Sequence, residues 1–219
     1  GAIRISGLTQ KPSYSGWHDR FAHLPIHVAG ITIFVAGIGI LISTLVELLE
    51  GGDQALPLLL SGIGSVVVGL VLYIVTRVPE QIQLLDIFVT VSVAWLALAC
   101  AGAVPYMATG TLSAFDDALF EAISGFTTTG ATVLRPIEGT SRGLLFWRAI
   151  TQWIGGMGVI VLVVAVLPTM GTGGFGLIEA EAPGPAGERL TPRVRYTAAR
   201  LWGIYIGFTI VLAAAYALA

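Results

Sequence analysis

Five long apolar runs constrain the fold of this chain more than any other feature of its sequence. They lie at residues 26–46, 55–76, 87–106, 146–167 and 201–219. A helix needs roughly 20 apolar residues to cross a bilayer, and only the run at 146–167 contains a charged residue. Lipid offers no partner for backbone polar groups, so runs of this length are expected to be helical. The sequence therefore predicts an all-α membrane protein.

The composition supports a membrane protein and excludes several other classes. The chain is 55% hydrophobic and 11% charged, whereas soluble domains carry about 25% charged residues. A net charge of −2 argues against a nucleic-acid partner and leaves membrane lipid as the expected surroundings. The single cysteine, Cys100, excludes an internal disulfide. Its place inside an apolar run predicts a packed thiol.

Two motifs that suggest cofactors are better explained without them. His18, His23 and His27 have no cysteine or second carboxylate at ligand spacing, so we interpret them as interfacial side chains beside Trp17. Residues 171–176 fit G-x-G-x-x-G, but a dinucleotide site requires a preceding strand, and here an apolar span and a proline precede the motif. We therefore expect a flexible connector, no organic cofactor and no bound metal cofactor.

A short polar stretch, residues 124–133, interrupts the apolar pattern between the third and fourth runs. Ser113 and Asp116 match a capping box, which predicts a short helix from Ala114 to Ser124, too short to cross a bilayer. The order of span, short helix, polar loop and span is that of a re-entrant pore loop. Such a loop is tolerated at membrane depth only where it is buried in protein or lines water.

The loop contains no acid, base or strong nucleophile, and what it offers is backbone. We predict that the carbonyl oxygens from Thr127 to Ala131 replace the water shell of a monovalent cation, most naturally potassium. Gly130 is expected to adopt a backbone conformation that a residue with a Cβ disfavours. The threonine hydroxyls either brace the loop or add a layer of ligands. The C-terminal end of the short helix would contribute partial negative charge.

The basic residues predict the orientation of the chain in the membrane. With the N-terminus in the cytoplasm, eight of the 11 Lys and Arg residues lie inside and three outside, the latter being Arg135, Arg142 and Arg148. The pore loop then enters from the outside. Six acidic residues would lie at the outer side, where they either form an acidic vestibule or are solvated: Glu47, Glu50, Asp53, Asp116, Asp117 and Glu121.

Two features of the fourth span bear on the loop. Arg148 is expected to extend to the outer interface, and the alternative is that it holds the pore loop through Asp117 or Glu121. Gly155, Gly156 and Gly158 are expected to allow close packing against the loop or a neighbouring helix, and the alternative is a hinge.

The loop and the segments after it resemble the bacterial Trk/Ktr family of potassium uptake subunits, closest to the TrkH type. Residues 120–134 (FEAISGFTTTGATVL) resemble the first pore loop, and residues 146–160 (FWRAITQWIGGMGVI) resemble the helix that follows it. Residues 181–185 and 193–202 resemble the linker into a second repeat. The resemblance extends from about Leu85 to the end, and the first two spans fit the extra helix pair of the TrkH type.

The resemblance implies a fold and a function. It implies four helix–pore loop–helix repeats around one pore, with Thr128 and Thr129 coordinating potassium and Gly130 as the filter glycine. Thr127 and Ala131 would be further filter residues. It also implies a homodimer and a cytosolic nucleotide-binding regulatory subunit of the TrkA type. This chain holds one complete repeat and one further helix, so we expect the remainder of the subunit to supply the other filter walls.

These expectations divide the chain into five parts. They are a cytoplasmic N-terminal segment (1–25), a transmembrane helix pair (26–80), a first repeat (81–168), a cytoplasmic linker (169–200) and the first helix of a second repeat (201–219). The expected function is potassium transport across the bacterial inner membrane, without enzymatic activity. The alternatives are a sodium-coupled solute carrier with a broken helix and a structural subunit of a membrane assembly.

Overall fold

A computed structural model describes residues 17–78, 84–170 and 190–218. Its described residues form six α-helices and one 3-10 turn, with no strand among them. The helices are α1 (Trp17–Leu49), α2 (Ala55–Val75), α3 (Leu84–Ala108), α4 (Phe115–Phe126), α5 (Arg142–Met170) and α6 (Leu190–Leu218), and the 3-10 turn is Ile137–Gly139. The predicted all-α class is confirmed.

Four of these helices are long and apolar enough to cross a membrane. The stretches are His23–Leu49, Ala55–Val75, Leu85–Ala108 and Ala199–Leu218. They correspond to the first, second, third and fifth runs of the sequence. The fourth run lies within α5, whose side chains after Gly158 are outside the described residues.

Two helices begin well before the apolar runs that predicted them. Helix α1 begins at Trp17, inside the segment expected to precede the membrane, and α6 begins at Leu190, inside the expected linker at 169–200. Apolar runs mark only the part of a helix that lipid surrounds, so polar turns at its ends escape the pattern. Pro192 falls in the first turn of α6, where a missing N–H leaves no helical bond unmade.

The chain divides into two compact units, which are described in turn. The first unit comprises residues 1–122 and 133–147, and the second comprises residues 123–132 and 148–219. In the first unit, α1 packs against α2 and α3. A Cβ at Gly30 would lie 2.9 Å from the Gly69 carbonyl oxygen, and one at Gly37 would lie 2.7 Å from the Val66 nitrogen. The absence of side chains at these positions lets α1 and α2 approach backbone to backbone.

A buried carboxylate also fastens the first unit. Glu47, near the end of α1, is 1% exposed. Its Oε2 accepts a 2.6 Å hydrogen bond from the Gly143 N–H in the first turn of α5, and its Oε1 accepts one of 3.3 Å from the Gln54 N–H. The Glu47 side chain lies so close to Gly52 and Gly143 that a Cβ at either position would clash with it. A carboxylate at a helix N-terminus interacts favourably with the helix dipole.

Two expectations about single side chains in this unit were wrong. Glu47 is neither solvated nor part of an acidic vestibule, because its carboxylate turns inward to backbone N–H groups. Cys100 is exposed rather than packed, since it lies on a face of α3 that no described residue covers. An apolar run surrounded by lipid has no unique inner face, so its sequence does not reveal which side packs against protein.

Candidate functional site

The predicted short helix forms and leads directly into the threonine–glycine loop. It begins at Phe115, so Ala114 rather than Ser113 occupies the N-cap position and the expected capping box does not form there. Asp116 and Asp117 are in the first turn, where negative charge complements the helix dipole. The helix ends at Phe126, two residues later than expected.

The loop leaves the helix through a Schellman motif. The Thr129 N–H donates to the Ser124 carbonyl at 3.0 Å, and the Thr128 N–H donates to the Gly125 carbonyl at 2.9 Å. Thr128 takes the left-handed position of the motif, with a φ of 57°. This position is usually glycine, and a β-branched residue there is strained. Strain of this kind persists only where the surrounding structure enforces it.

This geometry separates the five predicted coordinating carbonyls into two groups. The Gly130 and Ala131 oxygens accept hydrogen bonds from side chains described below. Within the described part of the chain, no donor lies within hydrogen-bonding distance of the Thr127, Thr128 or Thr129 oxygens. The three threonine carbonyls are therefore the ones open to a further ligand.

Gly130 has the backbone conformation that the sequence suggested. Its φ is +77°, in the left-handed region. A Cβ built at this position would meet nothing within 4 Å. The requirement for glycine thus comes from the backbone conformation and not from lack of space.

The hydroxyl groups of the loop brace it. The Thr127 hydroxyl donates to the Ile123 carbonyl at 2.8 Å, and the Thr127 and Thr129 hydroxyl oxygens lie 2.7 Å apart. The Ser124 hydroxyl donates to the Ala131 carbonyl at 2.6 Å, which ties the last turn of α4 to the far end of the loop. Of the two roles considered for the threonine hydroxyls, bracing describes Thr127 and Thr129.

Arg148 also contacts the loop. Its Nη2 donates to the Gly130 carbonyl at 2.9 Å and lies 3.4 Å from the Ala131 carbonyl oxygen. The alternative expectation, that Arg148 holds the loop, is supported by these bonds to the Gly130 and Ala131 carbonyls. A contact of Arg148 with Asp117 or Glu121, and its extension to the outer interface, stay predictions. A guanidinium has only donors, so a carbonyl-rich loop offers it partners from the same repeat.

Helix α5 packs closely against the end of α4, from which the loop begins. A Cβ at Gly155 would clash with the Phe126 carbonyl group, and one at Gly156 would lie 2.7 Å from the Tyr205 hydroxyl. A Cβ at Gly125 would likewise clash with the Thr151 side chain. Close packing, rather than a hinge, thus explains Gly155 and Gly156 in the fourth span, and for Gly158 it stays a prediction.

In the first unit, a second buried carboxylate holds Val133, the last residue of the polar stretch. Glu121 is 0% exposed, and its Oε2 accepts a 3.0 Å hydrogen bond from the Val133 N–H. The prediction that Glu121 lies in an acidic vestibule was wrong, because its side chain is buried. The helical spacing indicates this burial, because Glu121 shares one face of α4 with the buried residues Ala118 and Ala122. Of the six acidic residues expected at the outer side, the four that are exposed are Glu50, Asp53, Asp116 and Asp117.

The histidines do not form a metal site in the part of the chain that the structure describes. No group of three His, Cys, Asp or Glu side chains suitable for a metal ion occurs there. His27 Nδ1 lies 3.1 Å from the Thr76 hydroxyl, and its ring packs against that of Tyr73 with centroids 4.6 Å apart and the ring planes tilted by 35°. The His18 side chain and the glycine motif at 171–176 lie outside the described residues.

Comparison with known proteins assigns the chain to a family. Residues 59–219 match the TrkH family, described as a cation transport protein. The Trk system potassium uptake protein TrkH of Halomonas elongata is 38% identical over 196 residues, which cover 87% of this chain and 40% of that protein. The TrkH of Vibrio parahaemolyticus is 36% identical over 197 residues, covering 89% and 41%.

A solved structure agrees with the sequence relatives. The crystal structure of the potassium transporter TrkH from Vibrio parahaemolyticus superposes with a TM-score of 0.73 at 32% identity, over 89% of this chain and 39% of that one. The chain thus spans about 40% of the length of the curated relatives it matches. The family resemblance seen in the sequence is confirmed, and this chain belongs to the TrkH family of cation transport proteins.

Proposed function

We propose that this chain contributes one wall of a potassium-selective filter to a TrkH-type transport pathway and has no catalytic activity. One observation carries the proposal. Three consecutive carbonyl oxygens, those of Thr127, Thr128 and Thr129, lack a donor among the described residues and lie between the end of a short helix and a glycine with φ +77°. Rings of such carbonyls replace the hydration shell of potassium in channels.

The proposal ranks the five predicted filter residues. Thr128 and Thr129 are the main potassium ligands, with Thr127 beside them. The Gly130 and Ala131 carbonyls already accept hydrogen bonds, so we assign them to shaping the loop rather than to direct coordination. Potassium is the transported substrate here, not a resident cofactor. A single loop cannot surround an ion, so the remaining walls would come from further loops of the same subunit, as the family resemblance implies.

We further propose that the protein lies in the bacterial cytoplasmic membrane with its N-terminus inside. The excess of eight basic residues over three supports this orientation. Asp53 and the loop would then face the outside, and Arg77 the cytoplasm. A homodimer and a TrkA-type regulatory subunit stay predictions from the resemblance. Light scattering of the purified gene product would test the first, and copurification would test the second.

Substitution of Gly130 tests the filter assignment. In the complete gene product carrying this sequence, Gly130→Ser is expected to lower the ratio of potassium to sodium uptake by about tenfold. A side chain at φ +77° costs on the order of 1–2 kcal/mol, and relief of that strain turns the adjoining peptide groups. Tracer uptake in a bacterial strain without its own potassium uptake systems measures the ratio.

The chain offers a matched control for this substitution. Gly51 has a φ of +70° and, like Gly130, has open space around a built Cβ, but it lies in the turn between α1 and α2. Gly51→Ser therefore carries a similar backbone strain and should leave selectivity unchanged. Equal selectivity of the Gly130→Ser and unaltered proteins would refute the filter assignment.

The orientation is tested by labelling from one side of the membrane. With Cys100 replaced by alanine, Asp53→Cys should react with a membrane-impermeant maleimide in intact cells, because Asp53 is exposed in the turn after α1. Arg77→Cys, at the opposite end of α2, should react only after the membrane is permeabilised. The reverse pattern would overturn the proposed orientation.

A further inference from the structure

The hydrogen bonds of Arg148 act on two successive peptide groups at the end of the loop. Its Nη2 lies 2.9 Å from the Gly130 carbonyl oxygen and 3.4 Å from that of Ala131. Charge-assisted hydrogen bonds from a guanidinium are stronger than neutral ones. They act here on Gly130, the one glycine after the end of α4 in this loop, whose backbone is the freest to rotate. Arg148 therefore restrains Gly130, the residue whose backbone dihedrals are the least restricted in the loop because it lacks a Cβ.

The position of Arg148 on α5 strengthens this restraint. Arg148 belongs to α5, and the next turn of this helix packs against the same loop. Thr151 abuts Gly125, and Gly155 abuts the Phe126 carbonyl group. The Thr151 hydroxyl in turn donates to the Arg148 carbonyl at 2.7 Å. The guanidinium thus belongs to a helix segment whose packing against Gly125 and Phe126 also fixes its distance from the start of the loop.

A loop that is fixed at both ends keeps its middle in place. The Schellman motif fixes the start of the loop at Thr128 and Thr129, and Arg148 with Ser124 fixes its end at Gly130 and Ala131. On the account of selectivity by fit, selection between cations of different radius requires ligands that keep their positions when the smaller ion is bound.

We propose that Arg148 is a positioning residue for ion selectivity, which holds the Gly130–Ala131 peptide groups away from the ion path so that the threonine carbonyls alone line it. This inference rests on the proposed function. It assigns to Arg148 a role in discrimination between potassium and sodium rather than in ion binding. Loss of the guanidinium should therefore change the KM for sodium more than the maximal rate for potassium.

The test uses the complete gene product, purified and reconstituted in liposomes, with radioactive potassium and sodium as probes. Arg148→Met removes the donors and keeps much of the apolar stem, and it should lower the sodium-to-potassium KM ratio by roughly tenfold. The maximal rate for potassium should change by less than about threefold. Arg148→Lys keeps a charge on a shorter stem, and it should give an intermediate ratio.

Controls separate this role from general effects of charge and folding. Arg142→Met removes an exposed arginine from the first turn of the same helix and should leave the ratio unchanged. An unchanged ratio in Arg148→Met, or an equal drop in Arg142→Met, would overturn the inference. If Arg148→Met yields no folded protein, Arg148→Lys decides, and a ratio equal to that of the unaltered protein refutes it. Absence of potassium flux in the unaltered protein would instead refute the proposed function.

Discussion

Gly155→Ala is expected to destabilise the protein by about 3 kcal/mol, at the upper end of typical overpacking. The new Cβ would lie 2.6 Å from the Phe126 carbonyl carbon and closer still to its oxygen. A side chain can move away from such a clash by changing rotamer, but a backbone carbonyl at the end of α4 cannot. The midpoint of thermal unfolding, measured in detergent on the purified gene product, should fall by roughly 5–10 °C.

Gly64→Ala provides the control for this substitution. Gly64 lies within α2, where a Cβ would meet nothing within 4 Å. Alanine has the higher helix propensity by about 1 kcal/mol, so this change should leave the unfolding midpoint unchanged or raise it. If Gly155→Ala unfolded at the same temperature as Gly64→Ala, the close approach of α5 to Phe126 would be refuted.

Glu47→Ala is expected to have an effect of similar size in the first unit. It removes the acceptor of the Gly143 and Gln54 N–H groups and leaves a cavity beneath the turn after α1. An unmet buried donor costs about 1–3 kcal/mol, so we expect a loss of roughly 2–5 kcal/mol in the free energy of unfolding. Thermal unfolding under the same conditions measures this loss.

Two companion variants test the explanation for Glu47. Glu47→Gln keeps the shape but replaces one acceptor oxygen with an NH₂ donor, so one backbone N–H loses its partner and the loss should be about half as large. Glu50→Ala removes an exposed carboxylate three residues later and should change stability by less than about 0.5 kcal/mol. Equal effects at positions 47 and 50 would show that the buried hydrogen bonds contribute little.

The sequence predicted those parts of the fold that depend on local composition. Runs of apolar residues identified the membrane helices because span length is set by bilayer thickness. The change from an apolar run to small polar residues located the short helix α4 and its loop. Gly130 could be singled out because few residues other than glycine adopt a positive φ without strain. Each of these inferences needs only neighbours within a few residues.

The sequence did not predict contacts between residues far apart in the chain. The hydrogen bond between Glu47 and Gly143 joins residues 96 positions apart, and no sequence pattern near either residue predicts it. The bonds from Arg148 to the loop carbonyls were likewise missed, because backbone acceptors leave no trace in the identity of the residues that carry them. Thr128 at φ 57° is a third case, since threonine is among the residues least expected there.

The separation of Glu47 and Gly143 also has a consequence for how the protein is made. Translation proceeds at about 5–20 residues per second, so Gly143 is synthesised about 5–20 s after Glu47. During that interval the hairpin of α1 and α2 is complete, yet its carboxylate lacks one of the two N–H groups that it accepts in the finished structure. The hydrogen bond between Glu47 and Gly143 therefore forms late in biogenesis, because the start of α5 is synthesised after the α1–α2 hairpin.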